Sequence, residues 1–548
     1  MSRPFANAAA VACLATLAAC SDAPLEVSNN NAPTVTSLLS SPTGAQTLGS
    51  KIFQNVFIGQ YGSAAGGGAD AIWPQTQVMS GESEGAVANF GMLVRGGFPR
   101  SPIDNTPNNS VQAGNLRDYS GFTRGARQVS LVISALRQFE SSYDAATYAR
   151  NQAFAYYTLG YSLGHAALVY DSITVITPQT PGDSVPGFSG ARDAMAVALA
   201  MLDTAQSFAA RPAATAAIPS TWMSTASDVP MGTFVRLVRS TKARLRANLP
   251  RVPGDTTSVN WGLVADDATN GLNASFIIQL NQGTNFVLNW LNQAYVGSTW
   301  HQMPNWVIGM ADTTGAYATW VAASNSSKTP FLIRTPDRRF PSGETRAAQT
   351  AFANPDVPPV DTVLYLRNRR PGADTPGGPT NGSFYDYYRF FAYRTNNLQG
   401  PWPLFTRAEN DMLAAEALMR TNRLADALPL IDRYRVRAGL PRLVGAVTSL
   451  ADAVPGGNAC VPRTPVRSGA TVALRCANAY EAMKYEKRME TAFTGYAAWF
   501  LDARRWGDLI TGTPLEWPVP FQELLALNKG VYQNRRVFDG TNTYGWQP

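Results

Sequence analysis

AENDMLAAEALMRTNRLADALPLIDRYRVRAGLP, residues 408–441, decides how the fold is read. Met412, Ala415 and Met419 recur at spacings of four and three, which lines one face of a helix over 408–420. Thr421-Asn422 interrupts it. Leu428, Ile431 and Tyr434 then line a second helix over 425–438, stopped by Gly439 with Pro441 just beyond. Two short helices joined by a tight break form a hairpin of tetratricopeptide length. Such hairpins bury their apolar faces only by stacking on neighbours, so others are expected along the chain.

Working outward, three more helical regions appear. In 121–172, Phe154, Tyr157, Tyr161 and Leu168 fall at helical intervals, His165 fills the gap, and Gly160 and Gly164 allow close helix contact. In 191–210, Ala198, Met201, Leu202 and Ala205 form an apolar stripe. A shorter helix over 234–248 stops before Pro250. Near the end, Tyr485, Met489, Phe493 and Tyr496 predict one long helix over 480–509. Between these regions the chain is rich in Gly, Pro, Asn and aromatics, notably at 59–68, 103–115, 250–285 and 300–400. Loops this long are either disordered or functional. These hold many of the Trp and Tyr, which argues for packing. The expected architecture is mainly α: a helical scaffold with a large irregular lobe.

The N-terminus carries an export signal. Arg3 precedes the apolar, small-residue run 8–19, which is too short to span a bilayer and reads as a secretory h-region. The run ends in Leu17-Ala18-Ala19-Cys20, which looks like a lipobox. Lipidation of Cys20 would anchor the mature chain, since each buried methylene adds about 0.8 kcal/mol. Residues 1–19 are then a lipoprotein signal peptide and 20–40 a tether. Asp22 and Glu26 close behind the Cys weakly suggest a surface-exposed protein. Once Cys13 leaves with the signal peptide, Cys460 and Cys476 remain, and in an oxidising compartment a disulfide is favoured over two free thiols. The loop it closes is worth about 3 kcal/mol in the chain-entropy model.

The formal net charge of +7 comes with only six lysines, and the arginines are scattered. A nucleic-acid surface needs a basic stripe, so no nucleic-acid partner is expected. Hydrophobic residues make up 45% of the chain, which places it among globular proteins. The only histidines are His165 and His301, and no phosphate loop, dinucleotide fingerprint, zinc motif or nucleophile elbow occurs. The expectation is no catalysis, no metal and no cofactor. His165 reads as a core residue. Aromatic-rich loops suggest binding instead, because sugar rings stack on indoles. The candidates are Trp73, Trp290, Trp300, His301, Trp306 and Trp320.

These motifs, in their order, resemble the SusD/RagB family of nutrient-binding lipoproteins. Residues 151–159 (NQAFAYYTL) are similar to its Arg-Ala-Phe-Ala-Tyr-Phe helix, 240–246 to its Ser-Leu-x-Ala-Arg helix, and 408–417 to its Ala-Glu-x-x-Leu-x-x-Ala-Glu-Ala. Arg435-Val436-Arg437-Ala438-Gly439-Leu440-Pro441 is close to its Arg-x-Arg-Ala-Gly-Leu-Pro. Glu486, Glu490, Phe493, Gly495 and Arg504-Arg505-Trp506-Gly507 resemble a further signature, and Pro518-Val519-Pro520 and Gln533-Asn534 its closing motifs. Thr494 departs from the family's Glu, and Val169-Tyr170-Asp171 from its Tyr-Gly. The resemblance implies tetratricopeptide-like hairpins in a right-handed superhelix over about 41–250 and 401–548, with a ligand lobe over about 251–400. It implies an outer-membrane lipoprotein that captures nutrient oligomers, glycans foremost, for a TonB-dependent SusC-like transporter. A peptide-binding RagB-like protein and a periplasm-facing helical-repeat scaffold are the alternatives.

Overall fold

The computed structural model describes residues 34–62, 71–85, 92–97, 99–109, 113–182, 184–288, 301–354, 362–370, 382–469 and 471–540. The longer helices are α1 (Ile52–Tyr61), α2 (Ile72–Ser80), α3 (Ala113–Gln138), α4 (Ala145–Val169), α5 (Ala191–Ala209), α6 (Met231–Asn248), α7 (Trp261–Thr269), α8 (Arg407–Arg420), α9 (Leu424–Arg437), α10 (Ala479–Thr491) and α11 (Ala498–Trp506). The fold is mainly α. Among the described residues the strands are short and pair in twos. Among the described residues no helix is long and apolar enough to cross a membrane.

Neighbouring helices pack in succession. α3, α4, α5 and α6 form one run, α1 lies against α3, and α6 continues through α7 to α8, α9 and α10. The hairpin read from 408–441 is present as α8 and α9. Gly439 closes it in the left-handed region with φ 79°. The α4 stripe is buried over its full length. Phe154 packs on Trp222 with ring centroids 4.9 Å apart, and Phe53 of α1 meets Tyr161 at 5.6 Å. His165 is fully buried and its Nδ1 lies 2.8 Å from the Tyr161 carbonyl oxygen. Burial, reinforced by the Arg244 charge, lowers its pKa to about 3, so the imidazole stays neutral as a core group.

The two glycines on α4 mark where helices touch. A Cβ on Gly160 would sit 2.7 Å from both the Ala198 carbonyl oxygen and Leu202 of α5, and one on Gly164 would sit 2.4 Å from Leu245 of α6. Gly164→Ala is expected to destabilise the protein by about 1–3 kcal/mol through overpacking, read as a lower urea midpoint. An unchanged midpoint would show that Leu245 gives way freely.

Three expectations need correction. The region 121–172 is two helices, broken at 139–144, with the Asp144 carboxylate accepting the Thr147 N–H as N-cap. The first of them begins at Ala113, inside the stretch read as loop. The long helix over 480–509 is instead α10 and α11, separated by a reversal in which Phe493, Gly495 and Ala497 take φ of 61°, 70° and 58°. Phe493 and Tyr496 are buried in that reversal, so their spacing mimics helical periodicity without a helix. Helices at 35–39, 42–49, α1 and α2 also precede the first region that was read as helical.

Strands tie the less regular segments down. β1 (Ser172–Thr174) pairs antiparallel with β2 (Phe188–Gly190) between α4 and α5. β3 (Phe276–Leu280) pairs with β4 (Gly400–Phe405), joining the two ends of the loop-rich region to each other and to α8. β5 (Arg463–Ser468) and β6 (Thr471–Cys476) form a hairpin, and a disulfide joins Cys460 to Cys476 at its base, with Cα atoms 5.7 Å apart.

Candidate functional site

The recurrent motifs converge on a buried polar lattice between helices. Arg244 of α6 donates from Nε and Nη2 to the two carboxylate oxygens of Glu409 on α8, each at 2.6 Å, and its guanidinium lies 3.8 Å from the Phe405 ring centroid. One turn away, Ser240 Oγ donates to Asn410 Oδ1 at 2.8 Å, and Asn410 Nδ2 donates to the Ala268 and Leu272 carbonyls. Glu416 accepts from Arg505 Nη2 at 2.7 Å and Arg420 Nε at 3.0 Å. Burial alone would raise the Glu416 pKa; Arg505, Arg420 and Lys487 outweigh it and hold it at about 2. Arg339 bridges Asp337, at 2.7 Å, to Glu486 of α10, at 2.8 Å. Arg504 donates only to carbonyls, those of Pro250, Leu168, Leu515 and Asn248. These side chains face one another inside the protein. They hold helices in register and offer nothing to a ligand from outside.

The open chemistry lies elsewhere. A cavity of about 760 Å³ forms where the C-terminal ends of α4 and α6, the start of α5, the turn at 253–258 and the closing segment 516–536 meet. Its apolar wall is Met195, Leu199, Leu249, Pro250 and Val259. Its floor is charged. The Asp171 carboxylate accepts from Tyr532 Oη at 2.6 Å and from Asn534 Nδ2 at 2.8 Å. Burial raises the Asp171 pKa despite these bonds. The Glu516 carboxylate accepts from Arg251 Nε at 2.7 Å, Arg536 Nη1 at 3.0 Å and Asn534 Nδ2 at 3.1 Å. Burial opposes its ionisation, but Arg251 and Arg536 outweigh burial and lower its pKa. Asp255 Oδ2 accepts the Arg251 and Val252 N–H groups. Arg251 spends its remaining donors on the Leu168, Ala167 and Tyr170 carbonyls at the end of α4.

Sequence reasoning missed this cavity as a site, though it touched two of its pieces. Asp171 stands at a departure from the expected motif, and Asn534 belongs to the closing Gln-Asn pair. Gln533 turns away from the cavity and accepts the Asn105 N–H at 2.8 Å.

The aromatic candidates fare differently. Trp73, Trp306 and Trp320 are 1%, 3% and 3% exposed, so they present no open face for a sugar ring. This corrects their assignment as stacking platforms. Trp73 packs edge-on to Tyr61 at 5.1 Å. Trp306 packs under Gly81, where an added Cβ would lie 2.0 Å from the indole. Trp320 stacks on Tyr317 at 6.1 Å, with the Lys328 ammonium 4.2 Å from its ring centroid. The cause is area: an indole hides 150–250 Å² of surface and stabilises most when fully enclosed. Trp290, Trp300 and Cys20 lie outside the described residues. His301 is placed by its backbone, antiparallel to Gly85. Of the six, the three whose side chains are described, Trp73, Trp306 and Trp320, are each enclosed in the interior.

No protein-family model matches the chain, and no curated protein matches it. Solved structures do match. A SusD-superfamily protein of Bacteroides fragilis is 12% identical, with a TM-score of 0.51 over 89% of this chain and 98% of its own. A SusD homolog of Parabacteroides distasonis is 12% identical, with a TM-score of 0.52 over 83% of this chain and 84% of its own. A SusD-like carbohydrate-binding protein of Bacteroides fragilis is 13% identical, with a TM-score of 0.50 over 86% of this chain and 87% of its own. What is shared at this identity is the fold.

Proposed function

We propose that this chain, which has the SusD-like fold, belongs to the SusD/RagB family and is a non-catalytic lipoprotein of the outer membrane. It is held there by lipid on Cys20, exposed at the cell surface. It captures nutrient oligomers, glycans foremost, and passes them to a TonB-dependent SusC-like transporter. The observation that carries this reading is the extent of the shared fold, 89% of this chain and 98% of a SusD-superfamily structure. A match along nearly the whole length of both chains argues for a shared mode of use more than a single shared motif does, although fold alone never fixes function. The SusD-like carbohydrate-binding neighbour supports glycans as the ligand class. The motif side chains support membership, because they build the lattice that sets the helices. Trp290, Trp300 and His301 stand as the ligand-contacting candidates in the 251–400 lobe.

Two experiments test this reading. Purified mature protein is expected to bind immobilised oligosaccharides; measurable affinity for peptides alone would replace glycans by the peptide-binding alternative, and turnover of either ligand would end the non-catalytic claim. In cells, Cys20→Ala is expected to move the protein out of the membrane fraction. Retention there would place the anchor elsewhere.

A further inference from the structure

We infer that the cavity between α4, α5, α6 and the closing segment binds a small molecule that carries a carboxylate on a body the size of about one or two sugar rings. The inference is independent of nutrient capture through Trp290, Trp300 and His301, although the cavity takes Arg251, Asp255, Ser258, Val259 and Asn260 from the start of the 251–400 lobe. Its basis is the balance of donors and acceptors left over inside the cavity.

The acids of the cavity are already engaged. Both oxygens of Asp171 accept a hydrogen bond, from Tyr532 and Asn534. Both oxygens of Glu516 accept from guanidinium or amide groups. Asp255 accepts two backbone N–H groups, both on Oδ2, which leaves its Oδ1 without a donor among the described residues. The cations are not all engaged. Arg251 is saturated by Glu516 and the carbonyls at the end of α4. Arg192 is exposed at the rim and makes no hydrogen bond or ion pair among the described residues. Arg536 donates only Nη1, to Glu516, and is 54% exposed. Arg246 donates only Nη1, to Asp267, which lies outside the cavity. Three arginines that line one cavity thus keep spare N–H groups, against a single carboxylate oxygen there, Asp255 Oδ1, that accepts nothing among the described residues.

A ligand that complements such a surface accepts hydrogen bonds and is negative. The planar guanidinium fork matches a carboxylate or a phosphate bidentately, so the arginines call for an oxyanion; the sugar-sized apolar wall selects a carboxylate borne on a ring, and titration with sulfate separates this from a bare tetrahedral anion. Opposite the charges stand Met195, Leu199, Leu249 and Val259, an apolar wall suited to the face of a pyranose ring. A neutral sugar leaves the spare donors unmatched, and a cation is repelled by them. A uronic acid satisfies both sides of the cavity.

The test is calorimetric titration of the intact mature protein with digalacturonate, with its methyl ester, which has the same shape without the charge, and with inorganic sulfate. Digalacturonate is expected to bind at least tenfold more tightly than the ester and than sulfate, and to weaken as salt rises. In Arg192→Gln/Arg536→Gln, whose substituted side chains are both exposed, affinity for digalacturonate is expected to fall at least tenfold while the chain stays folded, because Arg251 still pairs the Glu516 carboxylate that Arg536 gives up. Equal affinity for acid and ester overturns the inference, as does no binding of either, and both are read on the unaltered protein. Sulfate binding as tight as digalacturonate overturns the sugar-sized body and leaves an adventitious ion only. If the double variant loses digalacturonate but still binds neutral oligosaccharides, the inference stands beside the capture reading. If neutral oligosaccharides bind and digalacturonate does not, the inference alone fails.

Discussion

Glu409→Ala is expected to lower the unfolding free energy by about 3–5 kcal/mol, because it strands the Arg244 guanidinium in the core with no counter-charge. Both side chains are almost wholly buried, at 4% and 2% exposed, and the pair is bidentate. Nothing nearby substitutes for the carboxylate: Arg244 Nε and Nη2 both donate to it, and the ring of Phe405 covers one face. The loss should appear as a lower urea midpoint at unchanged slope. Since the pair is shielded from solvent, added salt should change the deficit little. The informative companion is Arg244→Met/Glu409→Leu, which removes both charges and the cost of desolvating them. It should recover most of the loss. A single variant within 1 kcal/mol of the parent would mean that water reaches Arg244 and that the lattice is looser than its geometry.

The second large effect is one of pH. Glu82 is 3% exposed, and burial pushes its carboxyl pKa up to about 8, with the Phe493 N–H and Gln77 pulling weakly the other way. The folded chain therefore keeps a proton that the unfolded chain releases at its ordinary value of 4.5. A raised acid stabilises fully below the unfolded value and loses that contribution as pH climbs through the folded one. From 4.5 to 8 is about 3.5 pH units, and at 1.36 kcal/mol each the contribution lost is about 5 kcal/mol. Glu82→Gln retains an acceptor oxygen for Phe493 and cannot ionise. Between pH 5 and 8 the parent should lose stability steeply relative to this variant, and the variant should be the more stable protein at pH 8. Parallel profiles would show that Glu82 is already ionised in the native state. Because the comparison is a difference, titrations elsewhere, Glu416 and His165 included, drop out.

Both predictions concern the reversal and lattice that the sequence only half disclosed. The α8–α9 hairpin was legible because its apolar positions, its break at Thr421-Asn422 and its Gly439 stop are local signals that agree. The α4 stripe was legible for the same reason. The reversal between α10 and α11 was not. Phe493 and Tyr496 are apolar because they are buried, and burial at a spacing of three or four looks helical whatever the backbone does. Only Gly495 hinted at a turn, and a lone glycine does not outvote a stripe. The tryptophans failed differently. Residence in a loop-rich stretch says nothing about which way an indole points, and Trp73, Trp306 and Trp320 point inward. The cavity was the least legible of all. Its floor joins Asp171 to Asn534 and Arg251 to Glu516, pairs separated by 363 and 265 positions, and no local pattern marks such a meeting. The motif that contains Glu409 and Asn410 was readable as a motif, but its purpose as an interhelical clamp required the partners Arg244 and Ser240 to be seen in place.

Arg504 sets the order in which the molecule can become whole. Its guanidinium receives the carbonyls left over at the ends of two distant helices, at Leu168 and at Asn248 and Pro250, from 336, 256 and 254 residues away. Until residue 504 has been made, the Asn248 and Pro250 carbonyls lack this donor, and the Leu168 carbonyl has, among the described residues, only Arg251 to bind it. A premature stop before residue 504 therefore removes, besides the missing segment, the side chain that ties the ends of α4 and α6 together from the far end of the chain.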